Sequence, residues 1–200
     1  RQGLARRLLQ EILTQAGQRS LTLNATQDGY RLYESVGFRP TRRIHQHQGP
    51  VSTAPAITEQ VRPLSPADAE LVPALDRSAT GVDRRTVLQA LAPVASEVVL
   101  ERANRPVGFA FIRTFGRGLV IGPVVAPDRV GAMALIGYWL ARHAGEFVRV
   151  DIPDEDSALG KWLEQQGLAK VDVVTTMWRG TIPTVDTTAR VYGLVNQAFG

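Results

Sequence analysis

The sequence predicts an α/β fold of the α+β kind, with mixed, mostly antiparallel sheets flanked by helices. Three observations carry this reading. Segments with the strand period of two are interleaved with segments of helical period. The order helix, strand, short helix, glycine, strand occurs near the start of the chain and again near its end, which marks an internal repeat. Between the two occurrences lies a Pro- and Gly-bearing stretch, Gln48-Gly49-Pro50-Val51-Ser52-Thr53-Ala54-Pro55-Ala56, that breaks both periods. Two consecutive units with a sheet each are therefore expected: residues 1–47, a linker at 48–56, a second unit at 57–180 and a tail at 181–200.

Each element has its own justification. Leu4, Leu8, Leu9, Ile12 and Leu13 fall on one face of a helix over 3–17, and Gly17 can stop it. Leu21, Leu23 and Ala25 alternate as in a strand with one buried face. Asp28 can cap a short helix running to about Val36, ended by Gly37, and 38–47 reads as a strand. In the second unit, 57–63 reads as a strand, and Ser65-Pro66 has the form of a helix start. Asp83 can cap a helix over 84–92. Strands are expected at 97–102, 106–114 and 118–126, then a mostly apolar helix over 129–144 with Asp128 as its N-cap. A strand at 147–152, a helix at 156–166 and a strand at 169–179 close the series.

Composition narrows the function classes. The chain has 200 residues, of which 44% are hydrophobic, enough for one large core or two small ones. It has no cysteine, which excludes disulfides, thiolate zinc sites and a cysteine-borne covalent intermediate, and suits a reducing cytoplasm. No apolar run reaches the ~20 residues of a membrane helix. The net charge of +4 comes almost wholly from arginine, Lys161 and Lys170 being the only lysines. The arginines are scattered among acids rather than gathered in a stripe with aromatics, which argues against nucleic acid and suits a polyanionic small ligand. His45 and His47 would share a strand face, but no third metal ligand is evident, and no metal is expected. The acids Asp154, Glu155 and Asp156 sit at a helix start, where the helix dipole favours them.

Two motifs carry a resemblance. In Gln2-Gly3-Leu4-Ala5-Arg6-Arg7-Leu8-Leu9 a turn of small residues opens an amphipathic helix, a geometry that offers bare backbone N–H groups to phosphate. In Leu32-Tyr33-Glu34-Ser35-Val36-Gly37-Phe38 a short helix bearing a tyrosine is stopped by glycine and followed by a strand. Together they resemble the acetyl-CoA-binding half of the GCN5-related N-acetyltransferase (GNAT) superfamily. Gly3 and Ala5 match the last two fixed positions of its phosphate motif, Gln/Arg-x-x-Gly-x-Gly/Ala. Thr26, Gly29, Leu32, Tyr33, Gly37 and Phe38 align with its Asn-x-x-Ala-x-x-Leu-Tyr-x-x-x-Gly-Phe motif, with Thr26 at the Asn position and Gly29 at the Ala position. Residues 57–200 resemble, more loosely, the C-terminal domain of tandem GNAT proteins. That likeness rests on Thr80-Gly81-Val82-Asp83-Arg84, Ile121-Gly122-Pro123-Val124-Val125-Ala126-Pro127-Asp128, Met177-Trp178-Arg179-Gly180 and Val191-Tyr192-Gly193-Leu194. On this resemblance the chain opens inside its first domain, whose sheet is incomplete.

The resemblance implies an acyl-CoA-dependent N-acetyltransferase with acetyl-CoA as co-substrate. Gln2, Gly3, Leu4, Ala5, Arg6 and Arg7 would bind the pyrophosphate through amides and charge, and Thr26 would keep a polar contact. Tyr33 would protonate the departing thiolate; its plainer reading is packing between helix and sheet. Without cysteine, direct attack of the amine on acetyl-CoA is the economical route. The second unit has Asp128 where the phosphate loop would be and Leu163 in the place of Tyr33, so it is expected to have lost the coenzyme and to support the acceptor pocket. Asp151 and Asp83 are candidate partners of a cationic amine, small or amino-acid-like, although Asp83 also reads as a simple helix cap. The alternative is a non-catalytic module that senses a ligand with a degenerate transferase fold. Exposed apolar residues of the first unit predict that the chain pairs with itself as a homodimer or aggregates.

Overall fold

In the computed structural model, residues 3–53, 55–153, 157–186 and 188–198 are described. The acidic run Asp154, Glu155 and Asp156, together with Gln2, lies outside them. Helix α1 (Leu4–Ala16) turns Leu9 and Ala16 inward and leaves Leu4, Leu8 and Ile12 exposed. Gly17, at φ 60°, ends it by donating its N–H to the Leu13 and Thr14 carbonyls. Strand β1 (Leu21–Ala25) leads to α2 (Gln27–Glu34). Thr26, not Asp28, is the N-cap of α2: its hydroxyl accepts from the Gly29 N–H at 3.3 Å, and Asp28 adds its charge in the first turn. Gly37, at φ 93°, reverses the chain into β2 (Arg39–Pro50).

The second unit begins with β3 (Gln60–Pro63), a 3-10 turn over Pro66–Asp68, α3 (Leu71–Thr80) and α4 (Arg85–Leu91). Strands β4 (Ala95–Arg102), β5 (Arg105–Phe115) and β6 (Gly118–Ala126) form a meander, followed by α5 (Arg129–Arg142). Then come β7 (Phe147–Pro153), α6 (Ser157–Gln165), β8 (Ala169–Arg179) and β9 (Arg190–Gly193).

The repeat is interlocked. The described strands make one nine-stranded sheet in the order β1-β8-β2-β7-β6-β5-β4-β3, with β9 beside β6. The first repeat, β1–α2–β2, leaves a gap between its strands that β8 fills. The second, β7–α6–β8, leaves a gap that β2 fills. The sequence suggests two separate sheets; instead each repeat lends its last strand to the other, and the two half-sheets join edge to edge. Unpaired strand edges are costly, and the three pairings of this exchange, β1 with β8, β8 with β2 and β2 with β7, satisfy six of them at once. It also explains why β2 runs on to Pro50, into the stretch that reads as a linker. Gln48, Gly49 and Pro50 pair with Arg149, Val148 and Phe147, and a Cβ at Gly49 would collide with the Gly167 carbonyl. Pairing is antiparallel except between β6 and β7, which run parallel from Leu119↔Val148 to Ile121↔Val150 and then part.

Strand alternation defines the two faces. Helices α5 and α6 cover the face made by Val98, Leu100, Val148, Val150 and Ile152. His45 pairs with both Ile152 and Val173, which brings Met177 to the same face, where it packs with Ala25, Phe38 and the inner side of α1 and α2. On the opposite face α3 and α4 cover Val99, Phe109, Phe111 and Val125.

His47 sits at the interlock, 1% exposed, with Nδ1 3.1 Å from the Leu168 carbonyl oxygen and Nε2 without a partner among the described residues. Burial holds its pKa below the ordinary value of about 6.5, against the pull of the Leu168 carbonyl and Glu164 and with help from His45 and Lys170. As pH falls through about 6.5 the unfolded chain takes up a proton that the folded chain refuses. Stability is therefore expected to be full above that pH and to decline on acidification toward the folded pKa. A His47→Gln variant should flatten this segment of the Tm–pH curve between pH 7.5 and 5.5, and an unchanged slope would refute the assignment.

Candidate active site

The N-terminus of α1 is arranged unlike an ordinary helix start. Its N-cap position is Gly3, at φ 64° and ψ 18°, and among the described residues no side chain caps the helix. No acid lies in the first turn, whereas Arg6 and Arg7 do. A helix start with free N–H groups and added cations is unfavourable alone and favourable beside an anion. A Cβ on Gly3 would meet nothing within 4 Å among the described residues. Leu4, Ala5, Arg6 and Arg7 are all exposed. Thr26 is occupied as the cap of α2, although its hydroxyl proton remains free to donate.

Tyr33 lies near the end of α2 on the same face of the sheet as α1. Its ring meets Phe38 edge-on with centroids 6.0 Å apart and covers Gly29, whose Cβ would stand 3.0 Å from the ring. The plainer role, packing α2 on the sheet, is thus fulfilled by the ring. Its hydroxyl has no hydrogen-bond partner among the described residues.

The corresponding place in the second unit is filled. Asp128 caps α5, accepting from the Gly131 N–H at 2.8 Å. Arg102 grips both Asp128 oxygens (2.7 and 3.0 Å) and ties them to Glu59, so the Asp128 carboxyl is held below the usual carboxylate range. Where Tyr33 stands in the first repeat, the second has the fully buried Leu163. The V opened where β6 and β7 part is occupied by the end of the chain. Strand β9 pairs with Val124, Val125 and Ala126 of β6, while the Leu194 N–H donates to the Asp151 carbonyl of β7 at 2.9 Å. Buried Arg113 reinforces the closure with bonds of 2.7 Å each to the Gly122 and Val195 carbonyls. The sequence reading treats 181–200 as a tail; the apolar run Val191-Tyr192-Gly193-Leu194-Val195 is the signal that identifies a buried strand.

Of the two acids expected to meet an amine, Asp151 is sequestered and Asp83 is exposed. Asp151 is 0% exposed, and Arg149 holds both its oxygens at 2.8–3.1 Å. Burial pushes its carboxyl up, and Arg149 pulls it down. The two residues are two apart on one strand, hence on one face, which makes them a pair rather than a site. Asp83 accepts from the Arg85 N–H at 3.0 Å in the turn that precedes α4, whose N-cap position is Arg84 rather than Asp83. His45 and His47 have ring centroids 6.5 Å apart, and among the described residues no third His, Cys, Asp or Glu joins them.

A cleft of about 440 Å³ opens on the sheet face opposite α1 and α2. Its floor is Thr22 and Asn24 of β1 with their partners Trp178 and Thr176 of β8. Its far wall comes from the end of α3 and the segment 182–185. No helix among the described residues is long and apolar enough to cross a membrane.

Comparison with known proteins agrees with this architecture. A family profile described as an acetyltransferase (GNAT) domain matches residues 72–193, and a second with the same description matches residues 1–53. The chain belongs to the GNAT acetyltransferase family. It superimposes on a candidate acetyltransferase from Pyrococcus horikoshii with TM-score 0.79 and 24% identity, covering 100% of this chain and 67% of that one. A GCN5-related N-acetyltransferase from Sphaerobacter thermophilus gives TM-score 0.61 at 19% identity, over 92% of this chain and 70% of the other. One from Anabaena variabilis ATCC 29413 gives 0.57 at 17%, over 92% and 51%. At these identities the likeness is one of fold. None of the curated proteins matches the chain.

Proposed function

We propose that the protein is an N-acetyltransferase that moves the acetyl group of acetyl-CoA directly to an amine. The observation that carries this reading is the contrast between the two helix starts: α5 is capped by Asp128, whereas α1 starts at Gly3 with two arginines and, among the described residues, no side-chain cap on its amides. A pyrophosphate at α1 would accept from those amides and gain from the helix dipole, the arrangement that a self-capped helix has no use for. The amine nitrogen attacks the thioester carbonyl carbon, the C–S bond breaks, and the coenzyme leaves as a thiolate that takes a proton from Tyr33, while the proton given up by the nitrogen as it becomes an amide restores the Tyr33 hydroxyl. In this reading the second unit, with Asp128 and β9 filling its own site, no longer binds coenzyme and instead walls the acceptor side.

A Tyr33→Phe variant keeps the ring that packs on Phe38 and removes only the proton donor. Its kcat is expected to fall roughly 100-fold, with the acetyl-CoA dissociation constant within about twofold of wild type. Steady-state kinetics and calorimetry check both. Unchanged kcat removes Tyr33 from the chemistry, and coenzyme binding with no transfer to any amine tested turns the reading toward ligand sensing.

A further inference from the structure

The outer edge of β1 and one flank of α1 stand open together. β1 ends the nine-stranded sheet and has β8 as its one partner among the described strands. Edge strands in stable proteins are commonly guarded by charge or proline. The other end of the sheet is guarded in this way, since β3 reads Gln60-Val61-Arg62-Pro63. β1, Leu21-Thr22-Leu23-Asn24-Ala25, carries neither a charge nor a proline. Beside the inward face of α1, made by Leu9, Leu13 and Ala16, runs a second apolar stripe. It consists of Leu4, Leu8 and Ile12, which are 69%, 65% and 49% exposed. The opposite flank, Arg6, Gln10 and Thr14, is polar.

The second repeat shows what such an edge takes. Counted from the closing glycines, Gly37 and Gly167, β2 and β8 correspond residue for residue, down to a bulge at Thr41 in one and Val171 in the other. At equal distances from those glycines, Gly49 pairs with Val148 and Arg179 pairs with Leu21. Leu21–Leu23 therefore hold the place of Val148–Val150. Those three residues of β7 are the ones that pair in parallel with Leu119–Ile121 of β6. The helix between β6 and β7, α5, lies across β4, β5 and β6, with Leu135 against Gly108 and Gly131 against Leu100. Its Leu135, Ile136 and Leu140 are fully buried as a result. β1 has the matching helix, α1, but among the described residues it has no parallel neighbour.

We infer that a further β-strand of the full-length polypeptide lies along the open edge of β1, parallel to it and paired with Leu21–Leu23, and that the sheet it begins covers Leu4, Leu8 and Ile12. The strand joins α1 directly, so that strand, α1 and β1 form the parallel crossover unit that β6, α5 and β7 already make. Its side chains alternate, the apolar ones meeting Leu21, Leu23 and the stripe on α1. A second copy of the chain does not supply this neighbour, because a twofold axis beside β1 sets the two β1 strands antiparallel. The strand is required whether or not the protein transfers an acetyl group.

Residue-resolved amide exchange of the full-length protein tests the pairing. On an open edge strand every second amide points to solvent. With a neighbour on each side, all amides from Thr22 to Asn24 are expected to exchange roughly 100-fold or more slower than unpaired ones, and to do so at every protein concentration. Leu8→Gln keeps helix propensity and should lower the Tm of the full-length protein by roughly 4 °C or more. Val94→Gln, at a site 64% exposed, is the control and should shift Tm by less than about 1 °C. Free exchange at alternate amides of β1, or equal shifts from the two substitutions, would overturn the inference. Protection that disappears on dilution would assign the edge to a second copy and overturn it as well.

Discussion

Gly122→Ala is expected to destabilise the protein by about 3 kcal/mol, a fall in Tm of roughly 6–12 °C for a chain of this size. A Cβ at Gly122 would collide with the Leu194 carbonyl, and backbone cannot step aside as a side chain can. The Gly122 carbonyl is also one of the two acceptors of buried Arg113, so displacing this strand disturbs the closure on both sides. The loss should be local first: amide exchange in 190–195 should accelerate well before that of β4 and β5. Gly116→Ala is the control. It has a left-handed backbone, at φ 59°, but its Cβ would meet nothing within 4 Å, so only about 1 kcal/mol of conformational strain is expected. Equal effects of the two substitutions would mean that the end of the chain is not held as described.

Gly3→Glu is expected to weaken acetyl-CoA binding about 100-fold, near 2.7 kcal/mol at 1.36 kcal/mol per decade. The new side chain puts a carboxylate where the pyrophosphate would lie and takes the helix start for itself, much as Asp128 does at α5. Space is available for it, since nothing stands within 4 Å of the Cβ position, and the strain of φ 64° costs about 1 kcal/mol. Thermal stability should therefore change little while binding collapses. Because the effect is electrostatic, the ratio of wild-type to variant affinity should shrink as salt is raised.

The parts of this molecule that were legible in its sequence are the local ones. Helical and strand periods mark most elements to within a few residues, and the uncapped start of α1 can be read from Gly3, Ala5, Arg6 and Arg7 in line. The interlock is not local. Nothing in the period of β2 tells whether its neighbour is β7 or β8, and both repeats end alike, in Gly37-Phe38 and Gly167-Leu168. Strand β2 outruns its expected end because Gly49 and Pro50, residues that break structure in isolation, gain partners from β7. Thr26 takes the cap from Asp28 because the chain is extended at residue 26 and already helical at 28, and an N-cap requires the former. Asp151 read as an open acid at a strand end; its spacing from Arg149 was the overlooked clue. The cleft, drawn from both ends of the chain, exists only once the sheet is joined.

The most direct test of the account is a calorimetric titration of the full-length protein with acetyl-CoA, alone and as the Gly3→Glu and Asp128→Asn variants. One equivalent of coenzyme per chain is predicted, lost in Gly3→Glu and retained in Asp128→Asn. Binding that survives Gly3→Glu, or that depends on Asp128, would place the coenzyme on α5 and contradict the assignment of the site to α1.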